Sequence, residues 1–187
     1  MDYMFCDLSC PFNINNPNSF TNSRSKDCKF PLPLEDNNSN VLLVFEAPGY
    51  YEWENRCPIY DSRSIGKKDS AGSRMAQAFE SCDKNRTDYD IAEVVCCFPG
   101  NVGVLNHNEI LSASIYCRKY LLRCVEQKKY YKIVCWGYIA HNTIIDIVKS
   151  IQIEDPHYCP NIMFAKHPTA YGNTQDEVNR DAERCLK

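Results

Sequence analysis

The chain has 187 residues, 44% of them hydrophobic and 24% charged, with 24 acidic against 21 basic side chains for a net charge of −3. This length fits one ordinary domain, residues 1–187, with a core large enough to fold without staples, and it excludes two large domains. The charge supplies no global positive field for a nucleic acid, leaving only a local basic surface, and no apolar run reaches the roughly eighteen residues of a membrane span. Met1 to Cys10 lacks the basic-then-apolar layout of a signal peptide, so a cytoplasmic location is expected. A monomer is expected as well.

In chain order, residues 1–40 read as an irregular, cysteine-containing wrap of the same domain. From Pro11 to Asn40 the chain is rich in Asn, Ser and Pro, with neither a helical nor a strand period. Val41 to Phe45 is a continuous apolar run, the signature of a strand buried on both faces. Ala71 to Ser81 is a helix candidate, and Ile91 to Val95 a second strand. Asn106 is a cap residue followed three positions later by Glu109, and Leu111, Ile115, Leu122 and Val125 mark one face of a long amphipathic helix. Lys132 to Trp136 predicts a third strand, Ala140 to Val148 a helix, and Asn161 to Ala165 a fourth strand. Thr174-Gln-Asp-Glu177 is a capping box that opens the last helix, with Val178, Ala182 and Cys185 on one face.

Strand alternating with helix predicts an α/β fold, a three-layer α/β/α sandwich around a four-stranded, mainly parallel sheet. Such sheets bind ligands outside the carboxyl ends of their strands, so function is expected just after residues 45, 95, 136 and 165. Twelve cysteines, about 6% of the chain, fall below the roughly 8–10% of a disulfide scaffold. Without an export signal, metal or cluster ligation is the first explanation to test, with most of the twelve as buried apolar bystanders.

Three of the predicted strands lead into short motifs: Glu46-Ala-Pro-Gly49 and Tyr50-Tyr51-Glu52, then Cys96-Cys97-Phe-Pro-Gly-Asn101, then His167-Pro168-Thr169. Each is weak alone, but their order along one sheet edge resembles the uracil-DNA glycosylase superfamily, especially its iron–sulphur family 4. The resemblance covers about residues 41 to 172. It implies cleavage of an N-glycosidic bond in DNA, on a base flipped out of the stack. His167 then stands where the family places the donor to the departing base, and Glu46 or Glu52 where a carboxylate polarises the attacking water. Pro48, Gly49, Asn101 and Thr169 would meet phosphates, and Tyr171 is the candidate wedge for the gap left by the flipped base. The resemblance also implies a [4Fe–4S] cluster on Cys6, Cys10, Cys97 and Cys117, with Cys28 as a rival for either N-terminal place and zinc as the alternative metal.

Three departures from that family bear on the base. Glu93 replaces the asparagine that reads uracil. An ionised carboxylate welcomes the N4 amino group of cytosine, whereas a protonated one carries a donor and an acceptor and matches either base. Between Pro58 and Ala71 the chain has about eight extra residues, so that Ile59 or Tyr60 replaces the stacking phenylalanine. In that loop Arg63, Lys67 and Lys68 could meet phosphates, and Asp61, Ser62, Ser64 and Asp69 could bond a polar substituent. Phe45 replaces a glycine before Glu46 and must reshape the pocket wall or point into the core. Together these point to a pyrimidine other than plain uracil, with a C5-modified cytosine of foreign DNA as the expectation. Ordinary uracil repair and an inert iron–sulphur DNA-binding relative are the rivals.

Overall fold

The computed structural model describes residues 9–12, 31–98 and 107–187. Four strands, β1 (Val41–Phe45), β2 (Asp90–Glu93), β3 (Lys132–Trp136) and β4 (Asn161–Ala165), form one sheet in the order β2-β1-β3-β4, and every pair is parallel. Five α-helices flank it: α1 (Tyr50–Asn55), α2 (Ala71–Ser81), α3 (His107–Lys128), α4 (Tyr138–Glu154) and α5 (Gln175–Leu186). Among the described residues no helix is long and apolar enough to cross a membrane.

Successive strand side chains point to opposite faces, and the core divides accordingly. Leu42, Val44, Ala92, Ile133 and Cys135 pack with α3 and α4 in one cluster; Leu43, Phe45, Ile91, Val134 and Trp136 pack with α2 and α5 in the other. Burial on both faces is why the central strands β1 and β3 read as unbroken apolar runs. Phe45 takes the core alternative: its ring stacks on Trp136 at 5.9 Å, while its edge still reaches a cleft at the carboxyl ends of the strands.

Residues 31–40 lie along the outer edge of β2. Glu35 and Ile91 exchange backbone hydrogen bonds of 2.9 and 3.0 Å, and Leu32 N–H donates to the Cys96 carbonyl. Where the segment turns toward β1, buried Asp90 collects four donors: the amides of Asn37 and Ser39, the Tyr130 hydroxyl at 2.7 Å and the Lys128 ammonium at 2.6 Å. This network ties the strap to α3 and β3 at the end of the sheet away from the cleft. Asp90→Ala takes the acceptor from the Asn37 and Ser39 amides and leaves Lys128 only Asp36 and the Tyr130 hydroxyl only Cys124, so chemical denaturation should show a loss of about 1–3 kcal/mol, the scale for buried groups left without a partner. A loss under about 1 kcal/mol would show that water replaces the carboxylate without cost.

The sheet order places a topological switch between β1 and β3, because the chain leaves β1 toward β2 on one side and returns to β3 on the other. The loops leaving the carboxyl ends of these two strands therefore part in opposite directions and open a crevice between them.

Candidate active site

A cleft of about 1020 Å³ opens at that switch. All four strand ends contribute, through Glu46 after β1, Glu93 at the end of β2, Gly137 after β3 and His167 after β4. Glu52, Ile59, Ser70 and Ala71 come from the α1–α2 region, and Thr169 and Tyr171 from the loop beyond His167. Of the residues expected from the sequence, Glu46, Glu52, Glu93, Ile59, Gly49, His167, Thr169 and Tyr171 thus share one cavity.

Glu46 sits at the mouth of the switch, where its Oε1 accepts the Ile139 amide at 3.1 Å. That amide belongs to the first turn of α4, whose opening N–H groups have no partner within the helix. Gly137 caps the helix at φ 110°, and a Cβ there would collide with the Glu46 carboxylate. The glycine thus serves both the left-handed backbone and the close approach of the acid. Burial raises the Glu46 carboxyl above its ordinary value, opposed by the Ile139 amide and the charge of His107.

Glu52 is buried in α1, a six-residue helix too short for a sequence period. Burial raises its carboxyl too, but the backbone amides of Glu52, Gly72 and Gly49 and the charge of Arg86 oppose the rise. With three amides directed at it, Glu52 organises the turn between Gly49 and Gly72, which leaves Glu46 the carboxylate better suited to a water.

Glu93 is the most confined of the three acids. It is buried, and its Oε2 has no hydrogen-bond partner among the described residues. Burial, followed by the charges of Glu52 and Glu46, holds its carboxyl well above the ordinary range, against a smaller opposing effect of Arg86. Of the two alternatives raised by the sequence, the geometry supports the protonated acid, with a donor and an acceptor, over the accept-only carboxylate.

His167 is half-buried, and burial pushes its imidazole down to about 4, so it is neutral at pH 7. The Thr169 amide donates to Nδ1 at 3.3 Å, which assigns the ring proton to Nε2. The loop carrying it is pinned from behind: Asn173 donates to the His167 carbonyl at 3.0 Å, and Arg74 of α2 donates to the carbonyls of Pro168 and Asn173. Tyr171, at the tip of this loop, is fully exposed.

Ile59 takes φ 42°, a conformation costly for a β-branched residue. Two features hold it. Arg86 donates to the carbonyls of Pro58 and Ile59 while paired with Glu35, and Gly72 lies so close to the Ile59 and Tyr60 carbonyls that any Cβ would clash. This reversal brings Ile59 into the cleft wall but not Tyr60, so the expectation that either could be the stacker narrows to Ile59. Pro48 is also outside the wall, while its neighbours Ala47 and Gly49 line it.

The polar loop between Tyr60 and Ala71 departs further from expectation, because it folds upon itself around a 3-10 turn, Arg63–Ile65. Arg63 is held by Asp61 and by Glu80, both at 2.7 Å, instead of being available to phosphate. Ser62 is fully buried and bonded to Ser70, Ser73 and the Lys67 carbonyl, so it cannot read a substituent. Asp69 pairs with Arg74 at 3.5 Å. Lys67 and Lys68 are exposed outside the cleft wall, and Ser70, already the N-cap of α2, is the loop's one polar side chain in it.

The wall also contains residues to which the sequence assigns no role. Tyr138 packs at a tilt against Phe164 with ring centroids 4.8 Å apart, Tyr50 lies edge-on to Phe98 at 6.0 Å, and His107 and Lys166 also line the wall. Their meeting depends on strand order, which no local pattern encodes.

For the expected metal ligands, Cys10, Cys97 and Cys117 are buried in the same hydrophobic cluster, together with Cys96. Cys96 is hydrogen-bonded to Cys117, and that bond together with burial pushes the Cys96 thiol up. Among the described residues no group of three or more His, Cys, Asp or Glu is arranged to hold a metal ion. Cys6, Cys28 and Asn101 lie outside the described residues.

Neither a scan against models of known protein families nor a search of curated proteins finds a match for this chain.

Proposed function

We propose that the chain is a monofunctional DNA glycosylase acting on a flipped-out pyrimidine, with a C5-modified cytosine as its base. The observation that carries this reading is the convergence, in one cleft at the sheet's switch point, of the half-buried carboxyl of Glu46, the imidazole of His167 that burial holds neutral, and the buried Glu93, whose Oε2 has no partner among the described residues. As the C1′–N1 bond breaks, the sugar gains positive and the base negative charge. Glu46 offsets the first and polarises water; the Nε2–H of His167 meets the second at the base O2. A cleft of about 1020 Å³ has room for a flipped nucleotide and for a substituent at C5 of its base. Tyr171 is suited to fill the vacated stack, while Lys67, Lys68 and Lys166 are the basic groups available to phosphate near the rim.

Uracil is the second reading, because a protonated Glu93 also complements its O4 and N3–H. Purified protein is assayed for abasic sites on duplexes containing uracil, cytosine or a C5-modified cytosine. Excision of modified cytosine alone supports the proposal, excision of uracil alone returns the chain to uracil repair, and binding without excision points to an inert relative.

A cluster remains part of the proposal, held by Cys97 and Cys117 together with Cys6 and Cys10, with Cys28 as the rival for either N-terminal place. Bound there, it would supply structural anchoring of the N-terminal segment to α3 and not redox chemistry. Anaerobically purified protein should be brown with about four irons per chain, and Cys97→Ser or Cys117→Ser should bleach and destabilise it, because ligation free energy is folding free energy. Colourless protein with one zinc would replace the cluster by zinc, and metal-free protein of full stability would remove the metal altogether.

A further inference from the structure

The three acids of the cleft are not equivalent, and the difference assigns them opposite tasks. We infer that Glu93 is a general acid, handing its proton to N3 of a flipped cytosine-type base as the glycosidic bond breaks. The inference rests on the glycosylase reading and specifies how that chemistry reaches cytosine.

Uracil departs with its charge spread over O2 and O4. Cytosine departs less readily, because its amino group feeds electrons into the ring, and a proton on N3 lets it leave as a neutral molecule. An acid for this step must be protonated at neutral pH, buried and open toward the ligand. Glu93 has this placement: it ends β2 in the cleft wall, is 6% exposed, and its Oε2 has no partner among the described residues. The charged and titratable groups facing it are Glu46 after β1, Glu52 on α1, Arg86 before β2, and Cys96 beyond β2. Burial favours the neutral form most, and two neighbouring carboxyls against one cation favour it further. Glu46, with a helix amide on Oε1, is raised less. Carboxyls whose environments separate their titrations in this way mark an acid and a base.

In this step the O–H bond of Glu93 breaks and an N3–H bond forms. The C1′–N1 bond breaks with both electrons passing to N1, so the base leaves neutral. Water adds to C1′ and gives its proton to Glu46. Glu93, now a carboxylate, accepts from N3–H and from the N4 amino group, two charge-assisted bonds that offset its burial. Exchange with solvent after release returns a proton to Glu93 and removes the one on Glu46.

Glu93→Gln tests this, because the amide keeps a donor and an acceptor but has no proton to transfer. The substrates are duplexes carrying cytosine, 5-hydroxymethylcytosine or its glucosylated form, each beside its uracil counterpart, in single turnover from pH 5.5 to 9. Glu93→Gln should lower excision of the cytosine-type base by roughly 10²–10⁴-fold, the range for a general acid. Its affinity for a duplex with an uncleavable 2′-fluoro cytosine nucleotide should stay within about threefold. The wild-type profile gives the same test without a variant: cytosine-type excision falls about tenfold per pH unit above the titration of Glu93, and uracil-type excision does not. A Glu93→Gln rate on cytosine-type bases within tenfold of wild type would overturn the assignment and leave Glu93 a reader of the base. Wild-type excision of uracil-type bases alone would overturn it while sparing the glycosylase reading. Excision of no base would overturn both.

Discussion

Glu46→Gln should abolish most turnover, lowering the single-turnover rate by roughly 10²–10⁴-fold, the contribution of a positioned general base. The variant is informative because the amide oxygen can still accept the Ile139 N–H, so the cap on α4 survives and the fold with it. A wild-type rate that rises with pH through the raised titration of Glu46 should lose that limb in the variant. The sign for stability is opposite. Glu46, Glu52 and Glu93 are all raised in the folded state, so their contribution is fully present below the ordinary carboxyl range and is lost as pH rises through the raised values. The wild-type denaturation midpoint should therefore fall relative to that of Glu46→Gln as pH rises through the raised titration of Glu46. An active Glu46→Gln enzyme with an unchanged profile would demote Glu46 to a helix cap.

His167→Ala should cost roughly 10²–10³-fold in turnover while leaving DNA affinity within a few-fold, the scale for losing one preorganised donor. The donor is a neutral one, because the imidazole titrates near 4 and Nδ1 is occupied by the Thr169 amide. No step in the rate is therefore expected at the ordinary histidine range around 6.5. His167→Asn, which keeps an N–H on a shorter side chain, should recover part of the loss. Unchanged turnover with lost binding would assign the residue to phosphate contact instead.

How far the sequence reveals this molecule depends on whether the information is local. The central strands are legible because burial on both faces of β1 and β3 leaves no polar interruption, and Thr174 with Glu177 announces α5 outright. The second apolar run spans Ile91 to Val95, whereas β2 is Asp90–Glu93. The apolar character continues because Val94 and Val95 still donate to the carbonyls of Phe45 and Glu46 as the chain turns. The helix expected over Ala140 to Val148 runs from Tyr138 to Glu154, since its inner face continues through Ile151. Six residues cannot announce α1, so Glu52 is visible as an acid near a strand end but not as the acceptor of three amides. The polar loop misleads for a related reason: composition shows that Ser62 and Arg63 can bond something, and only packing shows that they bond Ser73, Asp61 and Glu80. Tyr138 and Phe164 meet because β3 and β4 are neighbours, a fact of topology.

The strap of residues 31–40 has a further effect. Because Glu35 occupies both hydrogen-bonding groups of Ile91 on the outer edge of β2, and Leu32 the Cys96 carbonyl beyond it, a version trimmed to begin at Val41 would leave these groups unpaired. Open edges of this kind recruit one another. Such a shortened protein should self-associate through β2, the strand that ends in Glu93, so crowding its own cleft. The smallest piece that keeps the sheet is thus larger than the sheet and its helices, and dimers seen in trimmed material would report the cut.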